Sequence, residues 1–308
     1  MHDTPGVIER IKKARTVLIV GHISPDGDAI ASGLAIKLGL KKMGIDAYLV
    51  AQKVPNFLKF LPVDEISDFD DIKDIDFDLV IALDTSTPER LEKEVWELIR
   101  DPPGVCLINI DHHSNNSGYG DYNLINSEAS STCEIVFDLL KQIMEIDLQM
   151  AECLYCGIIT DTGSFAHAVG PHTFFVAHQL INMGVDNEKI RRLMSLGKSE
   201  AEIRLLGWVL SNYKFVDAKG LAYCFIPSEK IEDGMDTKKA AGILLSQVGC
   251  TTSLILKDKD DQISGSFRSK VSIKEIATLL GGGGHPKAAS FITNKSVNEI
   301  IKIVTDNL

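Results

Sequence analysis

The chain has 308 residues, enough for two domains at roughly 150 residues each and for a sizeable buried core. An apolar fraction of 44% and a charged fraction of 24% are those of a folded globular protein and exclude disorder and fibrous repeats. Lys and Arg total 32 against 43 Asp and Glu, a net charge of −11, which disfavours a basic face that wraps long duplex nucleic acid.

In chain order, residues 16–21 (TVLIVG) form a short apolar run ending at glycine, the pattern of a buried parallel strand. Apolar positions at helical period over 29–43, stopped by Gly44, predict a helix, and 47–50 a second strand. Residues 79–83 (LVIAL) and 105–110 (VCLINI) read as two more buried strands, with a helix over 89–100 between them. This alternation predicts an α/β domain with a mostly parallel sheet flanked by helices. Helices over 133–144, 151–160 and 173–183 close that domain at about residue 187. The charged helical stretch 188–212 reads as a connector. Strands over 221–226, 252–256 and 263–267, with helices over 238–247, 273–280 and 297–304, predict a smaller mixed α/β domain over 213–308.

The six cysteines lack the dense framework of a secreted scaffold. Cys153 and Cys156 form a C-x-x-C inside a helix-like run, with no second pair to complete a zinc ribbon, so they read as buried free thiols. The opening residues carry no signal-peptide pattern, and no run approaches the roughly 18 apolar residues of a membrane span. A reduced cytoplasm is the expected location.

The acids and histidines fall where ligands bind in open α/β sheets, at the carboxyl ends of strands. The first strand is followed by His22, Asp26 and Asp28, LVIAL by Asp84, and VCLINI by Asp111, His112 and His113. Asp161 follows the apolar run 157–159. An aspartate after a strand is most often a helix cap, and Asp28 would serve so for a helix beginning at Ala29. Four segments contributing acids to one place repel one another without a cation. Mixed Asp and His donors suit Mn²⁺, Fe²⁺ or Zn²⁺ better than an all-oxygen magnesium cage.

These segments are GHISPDGDA (21–29), DTS (84–86), DHH (111–113), DTGSF (161–165) and, near the C-terminus, GGGGHPKAA (281–289). In order, they resemble the motifs of DHH-family phosphoesterases with their associated C-terminal domain. Length and layout are similar to the branch of bifunctional oligoribonucleases and pAp phosphatases. The resemblance implies two Mn²⁺ ions, one held by His22, Asp26 and Asp84, the other by Asp28, Asp84, His112 and Asp161. Asp84 would bridge the ions, His113 would face the substrate phosphate, and Asp111 would orient a neighbour. It assigns Arg268, Gly282, Gly283, Gly284 and His285 to the nucleotide's phosphate and sugar, the glycines forming a loop. A lone glycine run is otherwise only an easy turn, and a strand-end arginine a solvated charge.

The implied activity is metal-assisted hydrolysis of two- to five-nucleotide RNA, pApA included, to mononucleotides, and of pAp to AMP, without a covalent intermediate. A cleft between two small domains would suit such substrates and offers no long channel. Competing readings are a cyclic di-AMP phosphodiesterase, a RecJ-type single-strand exonuclease, which would need further DNA-binding elements, and a family II pyrophosphatase, which lacks the glycine-rich segment. From another class, the chain could be a nucleotide sensor without catalysis. Ala31 stands where the first motif usually has glycine. His167 and His172 receive no role, and the oligomeric state stays open, a homodimer among the options.

Overall fold

The structure, a computed structural model, describes residues 4–100, 105–166, 168–196, 200–231, 238–259 and 261–308. The chain divides into two compact units, Met1–Gly197 and Lys198–Leu308.

The first unit runs α1 (Thr4–Lys13), β1 (Thr16–Val20), α2 (Gly27–Lys42), β2 (Asp46–Val50), β3 (Ile66–Ser67), α3 (Phe69–Ile72), β4 (Leu79–Leu83), α4 (Lys93–Arg100), β5 (Cys106–Asp111), β6 (Tyr122–Ile125), α5 (Thr132–Ile143), α6 (Leu148–Asp161), α7 (Pro171–Asn182) and α8 (Asn187–Leu196). Its six strands pair in parallel in the order β3-β2-β1-β4-β5-β6. Alternation along β1 splits the core. Val17 and Ile19 face a cluster with α2, α5 and α6, while Leu18 and Val20 face one with Ile72, Leu91, Val95 and Ile99. Helix α2 is buried continuously from Gly27 to Leu40, including its polar members Asp28, Ser32 and Lys37.

Strand order reverses between β1 and β4, and such a switch point opens a crevice at the carboxyl ends of the two strands. The helix expected over 89–100 is shorter. Pro88 starts a single 3₁₀ turn, Leu91 turns extended at ψ 156°, and α4 begins only at Lys93.

The second unit comprises α9 (Glu200–Asn212), β7 (Lys214–Val216), β8 (Leu221–Ile226), α10 (Lys238–Leu245), β9 (Thr252–Lys259), β10 (Gln262–Ser269), α11 (Lys274–Leu279), β11 (Gly283–His285), β12 (Ala288–Thr293) and α12 (Val297–Asn307). Its mixed sheet has the order β11-β12-β10-β9-β8-β7, with β8 and β9 parallel and the other described pairs antiparallel. One face packs Leu254, Leu256 and Phe267 with α11 and α12; the other packs Cys224, Ile226 and Ile255 with α9 and α10. The stretch 188–212 thus holds most of α8, in the first unit, and α9, in the second.

Candidate metal centre

Motif residues reach the switch point by distinct local devices. After β1, Asp26 caps α2, accepting from the backbone N–H of Asp28 at 3.0 Å and of Ala29 at 3.3 Å. The cap is therefore Asp26 and not Asp28. Helix α2 starts two residues before the expected 29, which puts Asp28 inside its first turn. Its carboxylate points inward instead, accepting from the N–H of Thr132 at 2.6 Å and of Cys133 at 3.0 Å at the start of α5. Gly157 of α6 permits this approach, because a Cβ there would overlap Cys133 Sγ and press on Asp28 Oδ1.

Asp84 takes a left-handed backbone, φ 56°, immediately after β4, while its N–H still bonds Ile110 O at 3.0 Å. For a residue with a Cβ this conformation costs on the order of 1–3 kcal/mol and persists where surrounding contacts impose it. Asp111 and Asp161 are the last residues of β5 and α6. Neither follows its element as the sequence suggested; each is aimed by regular backbone.

The cluster centres on Asp84, 2% exposed. Its Oδ2 lies 3.7 Å from His22 Nε2. Its Oδ1 lies 3.5 Å from His112 Nε2, 3.5 Å from His113 Nδ1 and 3.1 Å from the Thr132 hydroxyl. His112 Nε2 is also 3.5 Å from Asp161 Oδ2, and His22 Nε2 is 3.9 Å from Asp26 Oδ2. Among the described residues, three groups each bring their donor atoms within 4.8 Å of one another: His22, Asp26 and Asp84; Asp28, His112 and Asp161; and Asp84, His112 and His113. His22 is oriented by a 2.7 Å contact from Nδ1 to Ile23 O, which leaves Nε2 toward the acids. His113 Nδ1 lies closest to Asp111 Oδ1, at 2.7 Å.

Burial pushes Asp84 well above the ordinary aspartate range, and the charges of Asp28, Asp26, Asp161 and Asp111 add to the effect. Burial raises Asp28, opposed by His112 and assisted by Asp26. Burial, with Asp28 and Asp26, pushes Asp161 up to about 8. In Asp111 the cost of burial is outweighed by His113 and Asn116, which hold it below the usual value. At Asp26 desolvation is outweighed by His22 and the capped N–H groups, which hold it at about 2. Three crowded carboxylates that cannot all ionise unaided, interleaved with oriented imidazoles, fit divalent cations, whose charge removes the repulsion.

In the second unit, Arg268 is the penultimate residue of β10 and bonds Phe267 O at 2.9 Å. The glycine run is not wholly a loop. Gly283 and Gly284 enter β11 and pair with Ser290 and Ala289 of β12, and at Gly282 a Cβ would overlap Ser290 O. Glycine is needed at 282 and 284, where β12 lies so close, while a Cβ at 283 would meet open space. Ser269 N–H bonds Lys287 O at 2.9 Å, so the end of β10 adjoins the segment after the glycines. His285 ends β11, and its side chain lies outside the described residues, as does His167. His172 Nε2 stands 2.8 Å from Asp138 Oδ2 at the surface. Sequence reasoning missed Thr132, Cys133, Asn109 and Asn116. Ser131-x-x-Glu134 was the one available signal for the first pair, a helix-start pattern that places their N–H groups at an anion site.

Sheet and site together define a protein with a cluster of acids and imidazoles suited to divalent cations at the switch point of a parallel sheet. Residues 16–158 match the DHH family, N-terminal domain, and residues 218–308 match the DHHA1 domain. The chain is 32% identical over 277 residues to the bifunctional oligoribonuclease and PAP phosphatase NrnA of Thermus thermophilus, covering 89% of this chain and 82% of that protein. It is 29% identical over 295 residues to the protein of the same name from Bacillus subtilis, covering 92% and 91%. The crystal structure of an exopolyphosphatase-related protein from Bacteroides fragilis aligns with a TM-score of 0.90 at 27% identity, over 98% of this chain and 94% of that one. The chain belongs to the DHH family of phosphoesterases.

Proposed function

We propose that the protein hydrolyses RNA of about two to five nucleotides, pApA included, to mononucleotides and pAp to AMP, using two Mn²⁺ ions. The observation that carries this reading is Asp84, whose two carboxylate oxygens face two different imidazoles, His22 and His112. A carboxylate so placed can serve two cations at once. His22, Asp26 and Asp84 would hold one ion, and Asp28, Asp84, His112 and Asp161 the other. When bound, such cations supply activation of water and neutralisation of phosphoryl charge.

The chain's own residues do the remaining work in this reading. The N–H groups of Thr132 and Cys133 orient Asp28, and Ile23 O orients His22. Asp111 holds His113, whose ring donates to a phosphoryl oxygen as charge accumulates there. Arg268, Gly282, Gly283, Gly284 and His285 contact the nucleotide's phosphate and sugar. The relatives named as oligoribonuclease and PAP phosphatase support the substrate class, and six free cysteines suit a cytoplasmic setting. A homodimer is compatible with this reading.

The test compares initial rates with Mn²⁺ on pAp, short RNA, short DNA, pApA and cyclic di-AMP. Turnover of pAp and short RNA is expected to lead. Cyclic di-AMP leading would overturn the substrate assignment, and comparable turnover by Asp84→Ala or His112→Ala would overturn the metal assignment.

A further inference from the structure

Beneath His113 lies a set of side-chain amides that neither the motifs nor the metal groups include. Asn116 follows the DHH segment on the loop after β5. Its Nδ2 lies 2.6 Å from Asp111 Oδ2, 2.8 Å from Asn109 Oδ1 and 3.2 Å from Thr85 O. An amide nitrogen has two hydrogens, so the longest contact is shared. Its Oδ1 accepts from Gly118 N–H at 2.8 Å, which leaves little freedom to rotate. Asn109, fully buried on β5, continues the set, with Nδ2 at 3.1 Å from Thr85 O and 3.3 Å from the Tyr119 hydroxyl.

Asp111 is thereby filled from both sides. Oδ1 takes the His112 N–H at 2.9 Å and His113 Nδ1 at 2.7 Å, and Oδ2 takes Asn116. Thr85, whose carbonyl receives both amides, directly follows Asp84 and its left-handed backbone. One side chain on the loop after β5 thus ties down the turn after β4 and the carboxylate that holds His113.

We propose that Asn116 is a positioning residue, locking the Asp111 carboxylate and through it the His113 ring in the orientation that meets the substrate phosphate. The inference rests on the reading that His113 contacts substrate. The side chain of Asn116 bonds none of the proposed metal ligands; its backbone N–H bonds His113 O at 3.1 Å, and its side chain acts on the His113 ring through Asp111. An orienting partner one shell removed from the reacting atoms typically changes activity about 10- to 100-fold.

Three readouts test it on the full chain with Asn116→Ala. Thermal unfolding first establishes that the variant is folded; if it is not, Asn116→Ser carries the same test, since its short hydroxyl cannot span Asp111, Asn109 and Thr85 and adds no charge beside Asp111. In metal-free or Mg²⁺-loaded protein, proton NMR is expected to show a downfield imidazole Nδ1–H signal that His113→Ala removes and Asn116→Ala shifts or broadens. With Mn²⁺, kcat is expected to fall about tenfold or more while KM stays within about twofold. In a His113→Ala background, Asn116→Ala is expected to have less than about a twofold further effect. An unshifted Nδ1–H signal, or the same fold loss in both backgrounds, would overturn the proposal. If His113→Ala alone turns over at the wild-type rate, the assignment of His113 to substrate fails, and the NMR signal still decides whether Asn116 orients the ring.

Discussion

The backbone N–H of Thr132 meets Asp28 Oδ2 at 2.6 Å, joining residues 104 positions apart in the chain. Cys133 N–H meets the other oxygen, so the N-terminus of α5, with its unpaired amides and favourable dipole, receives a carboxylate from α2. The Thr132 hydroxyl also donates to Asp84 Oδ1 at 3.1 Å. Thr132→Val keeps the N–H and loses the hydroxyl. Its metal affinity is expected to fall about tenfold with the fold intact, as read by calorimetric titration of the chelated protein with Mn²⁺. Unchanged affinity would mean that Asp84 does not depend on this bond.

Gly157→Ala should damage the centre from behind. Alanine gains about 1 kcal/mol of helix propensity over glycine. Against that, its Cβ would overlap Cys133 Sγ and press on Asp28 Oδ1 in a close-packed core, where overpacking costs about 1–3 kcal/mol. Net destabilisation in denaturant and weakened metal binding are expected together. Adding Cys133→Ala, which removes the overlapping sulfur, is expected to recover part of both.

Removing metal should make stability fall as pH rises. Asp28, Asp84 and Asp161 have folded-state pKa values above the ordinary aspartate value near 4, with Asp161 at about 8. Over that window the folded chain binds more protons than the unfolded one, so unfolding free energy decreases with pH. Asp26 and Asp111, held low, contribute stability that is lost only below that window, as pH falls toward their folded values. Melting of chelated protein between pH 4 and 8 is expected to drop steadily, and Mn²⁺ to raise the melting temperature most at the upper end. A chelated protein that gains stability over this range would contradict the crowded-carboxylate picture.

The C-x-x-C pair should be inert. Cys153 and Cys156 are fully buried in α6, and burial raises both thiols far above their ordinary value. In a thiol-counting assay on native protein, Cys106, partly exposed, is expected to react first and the pair only after denaturation. Rapid modification of the pair would reopen a redox role.

Much of this was legible in the chain because the pattern is local. A buried parallel strand is a short apolar run, and the residue after it sits at the sheet edge, so TVLIVG, LVIAL and VCLINI announced where His22, Asp84 and the DHH segment would lie. The short strands β3, β6, β7 and β11 have too few residues to show a period, and the longer β12 and α1, with the one-turn α3, were not read from the chain either. Nor was the paired state of Gly283 and Gly284, since a glycine run reads as a loop until a neighbouring strand is seen against it.

Sequence by itself determined the type of the longer elements of the parallel sheet, β1, α2, β4 and β5, and which acids and imidazoles were candidates to converge. The tertiary structure alone decided how they are held. It assigned the cap to Asp26 and released Asp28 inward, turned Asp84 so that its two oxygens face His22 and His112, and set Asn116 between two strand ends. The reason is distance along the chain. A carboxylate's environment is set by the N–H groups, charges and packing that meet it in space, and here those come from segments as much as 105 residues away.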